Sequence, residues 1–123
     1  MKLIVLARFG GSRVLAQSVD DRTLAFGCDN LVVVGRVKNG GWHRSGGADD
    51  VLGHGWADAR ISVQRIVTGG RIGRTVPVRY FAHTYMRGDR DFMFVLSRQP
   101  DGSLVIDSGQ LMSAHPKLAA QCD

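Results

Sequence analysis

The chain has 123 residues, of which 44% are hydrophobic and 22% are charged. This length suits a single domain over residues 1–123, and the apolar content is enough to form a buried core. Sixteen Lys and Arg residues against 11 Asp and Glu residues give a net charge of +5. No apolar run approaches the ~20 residues of a membrane-spanning helix. The sequence therefore excludes a membrane-inserted protein, a multidomain enzyme and a disordered linker.

The N-terminal segment allows two interpretations. Lys2 and the apolar residues at positions 3–7 resemble the start of a secretion signal. Arg8 then ends the apolar run below the ~7–15 residues that such a segment needs. Residues 2–19 can instead form a hairpin that turns at residues 10–12. A degraded signal and a hairpin that belongs to the fold both remain open.

A short helix is predicted over residues 19–26. Ser18 can cap its first turn, and Asp20 and Asp21 lie where the helix dipole favours negative charge. Gly27 ends this helix, because glycine is a poor helix former. The first 30 residues are therefore expected to hold a hairpin or degraded signal, followed by this helix.

The rest of the chain predicts strands, because β-branched and alternating apolar residues recur between glycine-rich turns. The predicted fold is all-β with a minor α component: an OB-type barrel over residues 31–107, preceded by the helix. Residues 108–123 form a tail, either a short C-terminal helix or a segment packed on the barrel. The five strands of the barrel are expected at residues 31–37, 57–64, 75–82, 92–96 and 104–106, with a bulge at residues 65–67.

The inward-facing residues of these strands are expected to form the core. They are Leu31, Val33, Ile61, Val63, Val76, Val78, Tyr80, Phe92, Phe94, Leu96 and Ile106. The stretch from Lys38 to Gly55 is predicted to be a long loop that begins with a turn at residues 39–41. Loops of this length are uncommon and often functional.

Cys28 and Cys122 allow one disulfide. That bridge would close most of the chain into a loop and fits an oxidising compartment, whereas two unrelated thiols fit a reducing cytosol. The cysteine count leaves both states open. A periplasmic or secreted setting follows from the bridge, and a cytoplasmic one from free thiols.

The barrel segments are similar to the netrin-like modules, which are related in fold to the tissue inhibitors of metalloproteinases. One strand ends in Gly-x-Val, and the next ends in Val-x-x-Ile before a glycine turn. A strand that begins with Val follows, and a Gly-Asp turn then precedes an aromatic residue. The matching positions are Gly35, Val37, Val63, Ile66, Val76 and residues 88–92. The resemblance implies an OB-type barrel and an exported setting with a disulfide, Cys28 to Cys122, but no particular activity.

No catalytic or metal-binding pattern stands out in the sequence. His43, His54, His83 and His115 lie far apart, and none has a partner at metal-ligand spacing. Nucleophile and phosphate-loop motifs are absent as well. We therefore expect a protein that is not an enzyme and that holds no cofactor and no metal.

The strongest functional signal is a run of positive charge. Residues 60–79 contain no acidic residue and five arginines, namely Arg60, Arg65, Arg71, Arg74 and Arg79. In OB-type barrels this part of the sheet commonly binds ligands. If strand alternation holds, the binding face is formed by Arg60, Gln64, Arg79 and Phe81.

The long loop holds a second candidate contact. Trp42 follows two glycines and precedes His43 and Arg44, as in an interface anchor. The preferred hypothesis is a non-catalytic interaction or inhibitor domain that binds an acidic protein partner through the basic face and this loop. The alternative is non-specific binding of single-stranded nucleic acid, which needs several aromatic side chains on that face. The aromatic content of 7% favours the protein partner.

Overall fold

A computed structural model describes residues 22–45, 47, 49–51 and 53–122. A 3₁₀ helix of three residues, Met112–Ala114, precedes the last strand. The strands are β1 (Thr23–Phe26), β2 (Leu31–Arg44), β3 (Gly55–Thr68), β4 (Thr75–Ala82), β5 (Phe92–Arg98), β6 (Leu104–Leu111) and β7 (Lys117–Ala120). The predicted all-β character is confirmed.

Five of these strands form a closed barrel in the order β2-β3-β4-β6-β5, and β5 pairs back onto β2. Neighbouring strands are antiparallel except β4 and β6, which run parallel. Among the described residues, β4 and β6 pair at one position, Arg79 opposite Val105. The five-stranded barrel is therefore confirmed, and its weakest pairing lies between β4 and β6.

The bulge predicted at residues 65–67 is present in β3. The β2–β3 register shifts twice in this region, and Gln64 and Val67 are skipped in the pairing. Gly35 lies on β2 beside the shift, where a Cβ atom would be 2.2 Å from the carbonyl oxygen of Ser62. A side chain at this position would force the two strands apart, so the close approach requires glycine.

The barrel interior is apolar. Of the predicted core residues, Val63 and Phe92 are half-buried and pack against this interior, and the others are buried. Its buried members are Leu31, Val33, Val37, Ala57, Ala59, Ile61, Val76, Val78, Tyr80, Phe94, Leu96, Leu104 and Ile106.

A second apolar layer covers the outer side of β2 and β5. β1 and β7 pair in parallel above it, and Phe26 and Leu118 pack against it. Its buried members are Leu24, Val32, Val34, Met93 and Val95. β1 and β7 do not cover the outer faces of β3 and β4. On these two strands, exposed outward residues alternate with buried ones.

The prediction of an N-terminal helix over residues 19–26 is wrong for residues 23–26, which form β1. Leu24 is buried in the second apolar layer, and β7 supplies backbone partners to β1. Tertiary pairing therefore outweighs the local capping pattern that starts at Ser18. The rest of the predicted helix, and the hairpin or signal, lie outside the described residues.

The prediction of a long loop from Lys38 to Gly55 is also wrong. β2 continues to Arg44, which leaves residues 45–54 as the connection to β3. The β2–β3 register shifts between Asn39 and Trp42, so the two glycines between them form a bulge instead of a turn.

The C-terminal tail packs against the N-terminal strand. Of the two predicted forms, a short helix or a packed segment, the tail takes the packed one: it forms the 3₁₀ helix and β7, which pairs with β1 residue by residue. A disulfide joins Cys28 and Cys122 just beyond the two strands, with Cα atoms 5.1 Å apart. The described residues include no helix that is long and apolar enough to cross a membrane.

Candidate functional site

A cleft of about 880 Å³ lies where β4 and β6 separate. One wall is the β3–β4 turn around Arg71, and the other is the β5–β6 turn around Gly102. The volume is typical of a protein binding site. The floor is apolar and exposes the edge of the barrel core, with Ala59, Ile72, Val76, Val78 and Leu104.

The rim of the cleft is strongly basic. Asp58 is the acidic side chain among the described lining residues, and it is bonded to His43 Nε2 at 2.7 Å and Arg79 Nε at 3.4 Å. Asp101 flanks the β5–β6 wall, where its carboxylate accepts the Ser103 N–H at 2.9 Å. An excess of positive charge therefore faces the cleft. The cationic lining residues are Lys38, Arg60, Arg71, Arg79 and Arg98.

Three of these cations are unengaged. Within the part of the chain that the structure describes, the side chains of Lys38, Arg60 and Arg71 make no hydrogen bond or ion pair. Arg98 donates from Nη1 to the Gly102 carbonyl oxygen at 3.3 Å. Free guanidinium groups present a planar set of donors that matches the two oxygens of a carboxylate.

A row of aromatic rings extends along the same outer face toward the β2–β3 loop. Trp56 and Phe81 lie opposite each other on β3 and β4, with ring centroids 5.4 Å apart. His54 stacks on Phe81 at 5.6 Å and meets His83 edge-on. The Arg79 guanidinium lies 5.0 Å from the Trp56 ring centroid, which links the row to the basic rim by a cation–π contact.

The sequence-predicted binding residues separate into groups. Arg60 and Arg79 line the cleft, and Phe81 lies beside it in the aromatic row. His43 reaches the cleft through its hydrogen bond to Asp58. Strand alternation on β3 and β4 brings Arg60, Arg79 and Phe81 to one outer face.

Trp42 and Arg44 lie away from the cleft lining. Trp42 is half-buried, packs against the barrel core and meets Tyr85 edge-on with centroids 5.4 Å apart. Arg44 donates from Nη2 to the backbone oxygen of Asp50 at 2.9 Å. The Trp42 side chain therefore packs on the barrel, and the Arg44 side chain contacts the β2–β3 loop.

Gln64 lies four residues beyond Arg60 on β3, where the β2–β3 pairing skips it. Its Nε2 donates to Asp91 Oδ1 at 2.8 Å, and the same oxygen accepts Arg36 Nε at 2.7 Å. The hydrogen bond from Arg36, followed by that from Gln64, lowers the pKa of Asp91 below its usual range. Arg65 and the arginine at position 74 also lie outside the cleft lining.

A buried tyrosine supports the cleft from inside the barrel. The Tyr80 hydroxyl donates to Asn39 Oδ1 and accepts the Met86 N–H at 2.9 Å. Asn39 Nδ2 in turn donates to the Met86 carbonyl oxygen at 2.8 Å. Burial raises the pKa of Tyr80, so the hydroxyl keeps its proton at neutral pH. Asn39 lines the cleft, and this network therefore fixes the β2 bulge next to Lys38.

Asp50 organises the loop that carries the end of the aromatic row. Its carboxylate accepts the backbone N–H groups of Gly53 at 3.1 Å and His54 at 2.7 Å, and it bonds His54 Nδ1 at 3.1 Å. The hydrogen bond to the His54 ring lowers the pKa of Asp50. Gly53 has a φ of 70°, which favours glycine. These contacts hold His54 against Phe81.

Sequence reasoning missed several lining residues. Lys38 comes from β2 and Arg98 from the end of β5, both far in sequence from the arginine run. Leu104 supplies part of the floor from β6. Trp56 belongs to the aromatic row beside the cleft, and the sequence carries a signal for it, because it precedes Arg60 by four residues on one strand and shares its outward side.

No protein-family model, no curated protein and no solved structure matches this chain. Over the described ranges, no three His, Cys, Asp or Glu side chains are grouped so as to hold a metal ion. The geometry and charge of the cleft are therefore the features that indicate a function.

Proposed function

We propose that this protein is a non-catalytic binding module whose basic cleft takes an acidic segment of a partner protein. One observation carries the proposal: Lys38, Arg60 and Arg71, unengaged within the described residues, surround an apolar floor. A segment with both carboxylates and apolar side chains satisfies both features. Its carboxylates pair with the guanidinium groups, and its apolar side chains gain about 25 cal/mol per Å² of buried surface.

The barrel itself supports this role. Its five strands are consistent with an OB-type barrel, in which the second and third strands commonly carry the ligand face. β3 and β4 are the second and third strands of this barrel, and they carry Arg60 and Arg79. The netrin-like resemblance and an inhibitory role stay predictions.

An exported setting, periplasmic or secreted, belongs to the proposal. The Cys28–Cys122 disulfide supports it, because structural disulfides persist mainly in oxidising compartments. Intact-mass measurement without reductant checks the bridge, and we expect a mass lower by two hydrogen atoms than after reduction. Two free thiols in the native protein would contradict the exported setting and favour the cytoplasm.

Non-specific binding of single-stranded nucleic acid is the second candidate. The aromatic row favours it, because stacking contributes ~1–3 kcal/mol per base. Phe81, however, already stacks on His54, and Arg79 lies over Trp56, so the rings engage one another and the rim. The apolar floor also suits side chains better than phosphates. The acidic protein segment therefore fits the cleft better.

Fluorescence anisotropy separates the two candidates. The probes are a fluorescein-labelled peptide of alternating Glu and Val, a matched Lys–Val peptide and an oligothymidylate, each titrated at two salt concentrations. We expect the Glu–Val peptide to bind and Arg60→Glu to weaken it at least about tenfold, since a charge pair becomes a repulsion. Arg65→Glu makes the same charge change on the same strand outside the cleft, and we expect a change below about threefold.

Three results would contradict the proposal. The first is tight, steeply salt-dependent binding of the oligothymidylate alone, which would favour nucleic acid. The second is an equal effect of Arg60→Glu and Arg65→Glu, which would show that the cleft is not the binding surface. The third is equal binding of the Lys–Val peptide.

A further inference from the structure

We infer that the acidic segment binds as an added β-strand along the open edge of β4, with its apolar side chains on the cleft floor and its carboxylates at the basic rim. This inference rests on the proposed function and adds the conformation and residue pattern of the partner. Strand addition is a common way for a sheet edge to take an extended peptide.

The open edge follows from the pairing of β4. On one side, β4 pairs with β3 along its whole length, from Thr75 opposite Ser62 to Ala82 opposite Gly55. On the other side, the described strands offer it one pair, at Arg79. Residues 75–78 therefore turn a stretch of backbone toward the cleft without a strand partner there. Backbone N–H and C=O groups at such an edge can pair with another chain.

Side-chain alternation on β4 predicts which partner residues meet the floor. Val76 and Val78 point inward and are buried, whereas Thr75 and Pro77 are exposed. Residues of an added strand point to the same face as the β4 residues beside them. The partner residues next to Val76 and Val78 therefore face the apolar floor, which Leu104 completes from the opposite wall.

The partner residue between these two, beside Pro77, points to the outer face, where the cations Arg60 and Lys38 lie. Pro77 lies opposite Arg60 on β3, and Arg60 lies opposite Lys38 on β2, so these three residues form one line across the outer face. A residue added beside Pro77 extends that line. Strands are spaced ~4.8 Å apart, so a carboxylate there lies about two strand spacings from β3, within reach of an extended arginine. Arg98 lines the other side of the cleft.

The length of the edge limits the motif. Four residues at ~3.3 Å each span about 13 Å, so the recognition core is four to five residues long. Pro77 has no N–H group, so β4 offers fewer donors than an ordinary strand. We therefore expect a short motif in which apolar and acidic residues alternate, and in which both sets of side chains are needed.

Labelled hexapeptides of three designs test the inference by fluorescence anisotropy with the full chain. The first alternates Val and Glu. The second has the same residues in two blocks, three Val and then three Glu. The third keeps the alternation but carries N-methyl groups on alternate backbone nitrogens, in two versions that cover both sets. We expect the block peptide, and one of the two N-methylated versions, to bind at least about tenfold more weakly than the alternating peptide.

The outcomes are distinguishable. Equal binding of all peptides, still weakened by Arg60→Glu, would overturn the added strand and leave the proposed function intact. Failure of every acidic peptide to bind would overturn both. A second copy of the chain on the β4 edge would appear as a dimer in sedimentation experiments without peptide, and it would also overturn the inference.

Discussion

Replacement of Tyr80 by Phe tests the buried network behind the cleft. Tyr80 is 3% exposed, and its hydroxyl bridges Asn39 Oδ1 and the Met86 N–H. Each hydrogen bond contributes ~0.5–1.5 kcal/mol, and a buried partner left unsatisfied costs ~1–3 kcal/mol. Asn39 and Met86 are half-buried, so water recovers part of the loss. We expect the free energy of unfolding to fall by about 2 kcal/mol.

Denaturant unfolding at neutral pH, followed by tryptophan fluorescence, measures this loss. Tyr85→Phe is the matched control, because the exposed Tyr85 hydroxyl donates to the Gly40 carbonyl oxygen at 3.0 Å. We expect this control to cost less than about 0.5 kcal/mol, since water replaces an exposed hydrogen bond. A loss for Tyr80→Phe no larger than that for Tyr85→Phe would refute the reasoning.

The raised pKa of Tyr80 adds a pH test of the same network. As the pH rises past about 10, the unfolded chain loses the Tyr80 proton before the folded protein does. Unfolding is then favoured, so stability falls above that pH. Tyr80→Phe should lack this component of the alkaline loss. An identical alkaline limb in both proteins would show that the folded hydroxyl is not protected.

Two further predictions concern the disulfide and the ion pair between Asp91 and Arg36. Replacing Cys28 and Cys122 by Ser removes a cross-link over a sequence separation of 94. The chain-entropy model gives an upper value of about 4–5 kcal/mol for the resulting loss in the free energy of unfolding. An unchanged denaturation midpoint would contradict a structural role for the bridge. The lowered pKa of Asp91 predicts stability that is present above the usual pKa near ~4 and lost as the pH falls through the folded pKa. Asp91→Asn, which loses the ion pair with Arg36, should flatten this acid limb in pH-dependent unfolding, and a profile like that of the wild type would refute the assignment.

The barrel strands could be predicted because their side chains alternate or are β-branched. The helix could not be excluded, because the evidence against it is tertiary: Leu24 is buried against β2 and β5, and β1 pairs with β7, which is far away in sequence. The second apolar layer did leave a signal. Residues 31–34 and 93–96 are continuous apolar runs, which indicate burial on both faces of a strand.

The candidate site was predictable only in part. Strand alternation brought Arg60 and Arg79 to one face, but Gln64 lies four residues further along β3, at a position that the β2–β3 pairing skips, and it bonds Asp91 outside the cleft. Lys38 reaches the cleft from another strand, and no local pattern marks such a contact.

The most direct test of the cleft is nuclear magnetic resonance titration of the isotope-labelled protein with the alternating Val–Glu peptide. The proposed site predicts that the largest amide shift changes fall on Thr75, Val76 and Val78 and on the β5–β6 turn near Ser103. Changes centred on β1 and β7, or on the aromatic row at Phe81 with residues 75–78 unmoved, would contradict the assignment of the basic cleft as the binding site.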